Sequence, residues 1–281
     1  MKAILFKGIF LLCFAGLLIS CNTELKRISQ NDIQFDSLFV EKTLHFFEVD
    51  TNPVCSLQIN FVYPVNYADK AILKLIQQQF VSDFFCEQYA TLLPEDAVEE
   101  YTNNFINTCR EMENNFKIEM ENHDMEMDEM WYVHEESATD AIVFNCNDLL
   151  SFVVSKEYYF GGAHGGHNHV NRVIDLKTGR RITEDIIFTD DYQDDLTKII
   201  VDAIALSKNV EISELEDIGF FNLEEIVPNN NFYADETGIT YTYNEYEIAA
   251  YVVGPVSVQI PYDKIQHLLR GESPLSGLAF R

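Results

Sequence analysis

The sequence predicts an α+β fold, in which helices pack on one face of an antiparallel sheet and the chain forms two intertwined α/β subdomains. Two observations predict this class. Strand-like segments occur in pairs joined by short polar turns, which is typical of hairpins and therefore of antiparallel sheets. Between these pairs lie segments with apolar residues every three or four positions, which is typical of helices that bury one face.

The first half of the chain contains one predicted strand and two predicted helices. Residues 54–63 alternate apolar and polar side chains as far as Pro64, which indicates a half-buried strand. Residues 69–89 repeat apolar side chains every four positions after Asp69, a residue suited to begin a helix. Residues 96–116 carry a second apolar stripe. Both helices are therefore expected to lie against the sheet or against each other.

The second half alternates hairpins with further helices. Asn147 and Asp148 are turn residues between two strand-like runs, and this pattern predicts a hairpin. A helix is predicted to begin at Thr189 or Asp190 and to continue to about Lys208. The other predicted elements are a strand at 170–176, a hairpin at 232–244, a strand at 256–260 and a helix at 264–269.

The first twenty residues have the form of a secretion signal. Lys2 and Lys7 accompany an apolar run at residues 9–19, which is too short to span a bilayer. The run ends in the tetrapeptide LISC at residues 18–21, which has the form of a bacterial lipobox. Cys21 is therefore predicted to carry lipid and to attach the protein to a membrane. An ordinary signal peptide with a nearby cysteine is the alternative.

A lipid on Cys21 implies a protein of the cell envelope. Asn22, which follows it, is not the aspartate that retains some lipoproteins at the inner membrane, so the outer membrane is favoured. Residues 21–43 are mostly polar, which indicates a tether between the membrane and the folded body.

The composition is strongly acidic. The chain has 46 Asp and Glu residues against 19 Lys and Arg residues, and its formal net charge is −27. Such a charge repels nucleic acid and anionic lipid, and it attracts cationic partners over a Debye length of about 8 Å. Solubility alone is one explanation of this charge. A cationic protein partner is the more specific hypothesis.

Four cysteines follow Cys21, and they are Cys55, Cys86, Cys109 and Cys146. Outside the cytoplasm they have three possible pairings. A simple helical hairpin would hold Cys86 and Cys109 about 13 Å apart, whereas bridged Cα atoms lie about 4.4–6.8 Å apart. Buried free thiols are the alternative to a disulfide.

Residues 158–169 combine four glycines with His164, His167 and His169. Imidazole rings on a glycine-rich segment are candidate ligands for a divalent metal ion, since imidazole suits zinc, copper or nickel. The other interpretation is structural: the glycines supply positive φ angles between two strands, and His164 forms a structural hydrogen bond. Neither a metalloprotease motif nor a nucleophile elbow accompanies these residues, so the sequence identifies no catalytic residue.

Six segments follow one another in a characteristic order: GGAHG at 161–165, DLKTG at 175–179, TEDII at 183–187, NEYEIA at 244–249, GP at 254–255 and IPY at 260–262. Together they resemble a known family, the domain of unknown function 3298 (DUF3298). The earlier half, from the strand that ends at Pro64 through the two helices, is similar to its companion domain 4163 (DUF4163). The resemblance implies a 4163-like domain at residues 44–155 and a 3298-like domain at residues 156–281.

Relatives with this pair of domains include ectodomains of lysozyme-sensing anti-sigma factors, and others adjoin peptidoglycan deacetylase domains. The resemblance therefore implies an envelope binding module for a cationic wall-directed protein such as lysozyme, or for a peptidoglycan component. It identifies no catalytic residue, and enzymatic activity is not expected. The alternative function is a metal-binding protein or metal-dependent hydrolase centred on His164, His167 and His169.

Overall fold

The computed structural model describes residues 29–122 and 129–280. The predicted signal peptide at 1–20, the predicted lipid-bearing Cys21 and the start of the predicted tether lie outside these ranges. Within them the α+β class is confirmed, with one sheet of six strands, one sheet of three strands and helices packed against them. No helix in the described ranges is long and apolar enough to cross a bilayer.

The larger sheet contains the strands in chain order, and its neighbouring strands are antiparallel except β2 and β3. The parallel pair requires a long crossover connection, and the two helices α1 (Lys70–Phe84) and α2 (Pro94–Asn122) lie in it. The strands of this sheet are β1 (Gln34–His45), β2 (Val54–Asn66), β3 (His134–Cys146), β4 (Leu149–Tyr159), β5 (Gly166–Asp175) and β6 (Arg180–Arg181).

Helices α1 and α2 pack on one face of the larger sheet. Asp69 caps α1, because its carboxylate accepts hydrogen bonds from the backbone N–H groups of Ala71 (2.8 Å) and Ile72 (3.1 Å). Phe80 of α1 stacks on Phe152 of β4 with 4.0 Å between the ring centroids, and both rings are fully buried. We call this surface of the sheet the covered face.

The smaller sheet belongs to the second half of the chain. Its strands β7 (Phe232–Ala234), β8 (Gly238–Tyr243) and β9 (Val256–Pro261) are antiparallel neighbours in that order. The predicted helix at 264–269 is shorter in the structure, since a helical segment at 262–265 gives way to a 3₁₀ turn at 266–268. The helices of this half are α3 (Glu184–Ile187), α4 (Gln193–Lys208), α5 (Tyr262–Ile265) and α6 (Ser276–Ala279).

The smaller sheet covers only part of the second face of the larger sheet. It contacts β4 and β5, where the Ser151 hydroxyl donates to the Ala234 carbonyl (2.6 Å) and the Asn171 amide donates to the Thr242 hydroxyl (2.7 Å). Phe39 on β1 is 62% exposed on this side. We call the uncovered part, formed by β1, β2, β3 and the adjoining ends of β4 and β5, the open face.

Two sequence boundaries fall within strands of the structure. Residues 34–43, which the sequence analysis assigned to the tether, form most of β1 and pair with β2. No side chain of β1 is fully buried, so this edge strand lacks the apolar alternation that identifies β2. The boundary between residues 155 and 156 falls inside β4. The division into domains at 44–155 and 156–281 stays a prediction.

Candidate functional site

The glycine–histidine stretch forms the hairpin between β4 and β5. Gly161 and Gly162 have φ angles of 78° and 89°, which favour glycine, so the predicted positive φ is confirmed at these positions. A Cβ atom on Gly161 would lie 2.9 Å from the Cα of Trp131. The turn therefore needs glycine both for its backbone conformation and for its close approach to the chain at Trp131.

His164 is at the tip of this hairpin and is exposed. Its Nδ1 lies 2.8 Å from the Gly165 carbonyl oxygen. Its ring stacks on Tyr251 with 4.0 Å between the centroids, and Tyr251 in turn stacks on Tyr246. His164 thus joins the hairpin to the second half of the chain through an aromatic stack.

His167 points from β5 towards Glu245. Its Nδ1 lies 2.7 Å from Glu245 Oε1, and its backbone N–H donates to Glu245 Oε2 at 3.2 Å. The Glu245 side chain is 9% exposed, whereas that of His167 is 42% exposed. A carboxylate only accepts hydrogen bonds, so Nδ1 of His167 is the donor in this contact. Glu245 therefore orients a partly exposed imidazole ring on the open face.

His169 lies two residues further along the same strand and faces the same side. Its Nδ1 lies 3.1 Å from the Ser155 hydroxyl, and its backbone N–H donates to the Asn244 side-chain oxygen at 2.6 Å. Burial lowers the pKa of His169, and the neighbouring His167 lowers it further. The ring is therefore a neutral hydrogen-bonding group at neutral pH.

The three imidazoles do not converge on one point. His164 stacks on Tyr251, while His167 and His169 have separate partners in Glu245 and Ser155. In residues 29–122 and 129–280 no group of three or more His, Cys, Asp or Glu side chains is arranged to hold a metal ion. The donor set on the hairpin does not fit the divalent metal that the sequence analysis considered.

Strand register places a polar row across the open face. Residues directly paired on neighbouring strands project to the same face of a sheet. The pairs Glu41–Gln58, Gln58–Ser137, Ser137–Glu157 and Glu157–His167 therefore align five polar side chains across β1 to β5. The Glu245 carboxylate extends this row beyond β5 by bonding to His167.

This row crosses an open cleft of about 530 Å³. Four glutamates and one lysine contribute to its lining, and Glu41, Glu135 and Glu157 lie on the open-face side of their strands. These three side chains are exposed and form no ion pair within the described part of the chain. The cleft lining also includes Thr43, Ser56, Gln58, Ser137, Tyr159, His167 and Tyr251.

Exposed aromatic residues surround the same hairpin. Trp131 is 65% exposed, and Tyr158 stacks on the exposed Phe160 with 4.9 Å between the ring centroids. Tyr246, beside Tyr251, is also exposed. Aromatic side chains are enriched in the centres of protein interfaces, where they supply much of the binding energy.

The covered face beneath the cleft has a closed polar network. Glu136 accepts a hydrogen bond from the Tyr101 hydroxyl and lies 2.8 Å from His134 Nε2. Burial raises the pKa of Glu136, but the bonds to His134 and Tyr101 outweigh burial, so the pKa is lowered. Burial lowers the pKa of the nearby Lys156, whose ammonium donates to a backbone carbonyl. The Glu136 carboxylate is thus satisfied by Tyr101 and His134, and its bond to Tyr101 holds α2 on the sheet.

Comparison with known proteins places this chain in a family. A crystal structure of a DUF3298 family member from Bacteroides fragilis superimposes with a TM-score of 0.81 at 32% sequence identity, covering 89% of this chain and 98% of that one. This chain belongs to the DUF3298 family. A DUF3298 family protein from Pseudomonas aeruginosa, at 13% identity and a TM-score of 0.61, covers 86% of this chain and 96% of that one and shows the same fold. A search of curated proteins returned no match.

Two family profiles match separate parts of this DUF3298 family chain. The profile described as "Protein of unknown function (DUF3298)" matches residues 185–263, and the profile described as "Deacetylase PdaC" matches residues 48–167. The second match includes β2, both long helices, His164 and His167. The predicted DUF3298 resemblance is therefore confirmed at residues 185–263, whereas the GGAHG segment at 161–165 lies in the match to the deacetylase profile. The predicted 4163-type domain and the likeness to lysozyme-sensing anti-sigma factors stay predictions.

Sequence reasoning selected the three histidines but missed their surroundings. Asn244 and Glu245 lie in a segment that resembles the family, yet their contacts with β5 join residues 75 and 78 positions apart. Gln58 and Ser137, which are neighbours in the polar row, are likewise far apart along the chain. Strand alternation gives a signal for which side chains share a face, but it gives none for which strands are neighbours.

Proposed function

We propose that this chain is a lipid-anchored binding protein of the bacterial cell envelope, whose open face recognises a cationic wall-directed protein such as lysozyme. The observation that carries the proposal is the acidic cleft, where Glu41, Glu135 and Glu157 lie exposed without a cationic partner in the described ranges. Carboxylates left unpaired on a concave surface give a negative potential that attracts a cationic protein and orients it.

Tyr251, which lines this cleft, and Tyr246, which stacks on it, supply the apolar part of an interface. Tyr246 is 57% exposed, so a partner in the cleft would bury it. An acidic cleft next to aromatic anchors suits a protein that presents Lys and Arg side chains around an apolar patch. A peptidoglycan component remains the second class of ligand for the same surface.

The lipid anchor of the proposal rests on Cys21 and the apolar run before it. A chain held by acyl groups on Cys21 would present its folded body to the envelope space, with the outer membrane as the favoured site. Growth with a labelled fatty acid tests this part, because label should enter the wild-type protein and be absent from the Cys21→Ser variant. Equal labelling of both proteins would refute anchoring through Cys21.

The alternative function, metal-dependent hydrolysis at the glycine–histidine stretch, has less support. The profile match named for a deacetylase favours it, but His164, His167 and His169 do not converge, and among residues 29–122 and 129–280 no three potential ligands are arranged to hold a metal ion. Metal analysis of untagged protein tests it. Stoichiometric zinc, copper or nickel that raises the melting temperature would support the alternative, and its absence would remove it.

Calorimetric titration with lysozyme tests the binding function. We expect heat of binding at low salt and an affinity that falls between about 50 and 300 mM salt, since rim charges are screened. An acidic protein of similar size is the control and should give no heat. Absence of binding to lysozyme at low salt would reject this partner.

A further inference from the structure

Two of the cysteines face each other inside the core between β2 and α2. Cys55 lies on β2 and is 0% exposed, and Cys109 lies on α2 and is 3% exposed. Both belong to the apolar cluster between the helices and the larger sheet. Both are free thiols in the structure, and the two side chains interact through a hydrogen bond. The sequence leaves three pairings open, and the fold brings this pair together.

The other two described cysteines have different surroundings. Cys86 is exposed, and Cys146 is half-buried at the end of β3. Cys146 packs against the core on the second side of the larger sheet, whereas Cys55 and Cys109 lie in the core on the covered face. The contact between Cys55 and Cys109 therefore selects one pairing.

We propose that Cys55 and Cys109 form a disulfide bond that joins β2 to α2 when the chain folds in the presence of a disulfide oxidant. One thiolate attacks the oxidant's disulfide and releases one of its sulfurs as a thiol. The second cysteine thiolate then attacks the mixed disulfide and releases the other sulfur. The two cysteines lose two protons and two electrons, and the oxidant is reduced to two thiols.

Burial determines when this reaction takes place. The hydrogen bond to Cys55 and burial together raise the pKa of the Cys109 thiol, so little thiolate exists in the folded core. The bond therefore forms during folding, before α2 closes over β2. Once formed, it is shielded from reductants by the same packing.

The bond would fix α2 on the sheet beneath the open face. It closes a loop of 109 − 55 = 54 residues, and α2 also carries Tyr101, which holds Glu136 in place. A disulfide across a loop of this length should raise the melting temperature by roughly 10 °C. This proposal does not depend on the ligand or on the anchor, because the pairing is a property of the fold.

Differential alkylation of the full-length chain tests the pairing. The protein is refolded with oxidised glutathione, alkylated in denaturant without reductant, digested and mapped by mass spectrometry. We expect a cross-linked peptide pair that contains Cys55 and Cys109, while Cys86 is alkylated. Alkylation of both Cys55 and Cys109, or a bond from either to another cysteine, would overturn the proposal.

The melting temperature after refolding is a second test of the bond, and it does not depend on any one variant folding well. The melting temperature of wild-type protein should be roughly 10 °C higher after oxidative refolding than after refolding with dithiothreitol. Cys55→Ala and Cys109→Ala should each abolish this difference, and the matched control Cys86→Ala should keep it. Native oxidised protein should resist dithiothreitol until denaturant is added. Equal melting temperatures of the two wild-type preparations would contradict a stabilising bond.

Discussion

The two faces of the larger sheet differ in whether their glutamate carboxylates have bonding partners. Glu136 turns to the covered face, where Tyr101 and His134 bond to its carboxylate. Glu135, the preceding residue, turns to the open face and has no ion-pair partner in the described residues. A carboxylate that serves the fold is paired, because an unpaired buried charge is costly. A carboxylate in an exposed cleft remains available to a ligand.

This comparison predicts that the largest stability effects come from the covered face. Phe80→Ala removes a fully buried ring stacked on Phe152, and the free energy of unfolding should fall by about 3–5 kcal/mol. The matched change Phe39→Ala, on the open face, should alter it by less than about 0.5 kcal/mol. Urea unfolding of both variants measures the difference. Equal losses would show that the open face is also part of the core.

A buried carboxyl on β3 should make stability depend on pH. Burial raises the pKa of Asp140 to about 7, and its Oδ2 has no hydrogen-bond partner in the described ranges. The folded state therefore holds a proton that the unfolded chain releases near pH 4, so this contribution to stability is present at low pH and is lost as pH rises through 7.

Unfolding of wild-type protein and of Asp140→Asn at pH 5 and pH 8 measures this effect. Between pH 5 and about pH 7 the wild-type free energy of unfolding should fall by about 1.4 kcal/mol per pH unit, because only the unfolded chain releases the Asp140 proton there. The variant has no such proton, so its free energy of unfolding should rise by about 3 kcal/mol relative to wild type between pH 5 and pH 8. A constant difference between the two proteins would show that Asp140 is ionised throughout. The pH range stays above the isoelectric point of about 4.4, where the protein has little net charge.

Adjacent glutamates offer the most direct stability comparison of the two faces. Glu136→Gln weakens a buried, charge-assisted network and should lower the free energy of unfolding by about 1–3 kcal/mol. Glu135→Gln changes the same residue type one position earlier and should alter it by less than about 0.5 kcal/mol. Chemical unfolding at pH 7 checks both values. A larger loss for Glu135→Gln would reverse the assignment of the two faces.

Local patterns in the sequence were enough to predict the elements with a buried stripe. Burial of one side of an element leaves a repeat of apolar residues in its sequence, as in α1, α2 and α4, or an alternation, as in β2. These four elements are confirmed. The hairpin turn at Asn147 and Asp148 is confirmed as well, with φ angles of 56° and 62° that suit these residue types.

What the sequence did not predict depends on contacts between distant segments. β1 is an edge strand without a fully buried side chain, so residues 34–43 read as a tether. Three further features can be predicted only when the strand order and the position of α2 are known. They are the Glu245 contact with His167, the polar row from Glu41 to His167 and the thiol contact between Cys55 and Cys109. No local pattern carries that information.

We expect the carboxylates of the open face to bind a cationic protein. The most direct test is the dissociation constant for lysozyme of the triple variant Glu41→Gln, Glu135→Gln and Glu157→Gln at low salt. The matched control removes three exposed charges elsewhere, through Asp202→Asn, Glu236→Gln and Glu272→Gln, and so has the same net charge.

We expect the cleft variant to raise the dissociation constant about ten-fold, since each exposed ion pair contributes about 0.5 kcal/mol. The control should stay close to wild type. The account is contradicted if both triple variants weaken binding equally, because net charge rather than the open face would then attract the partner.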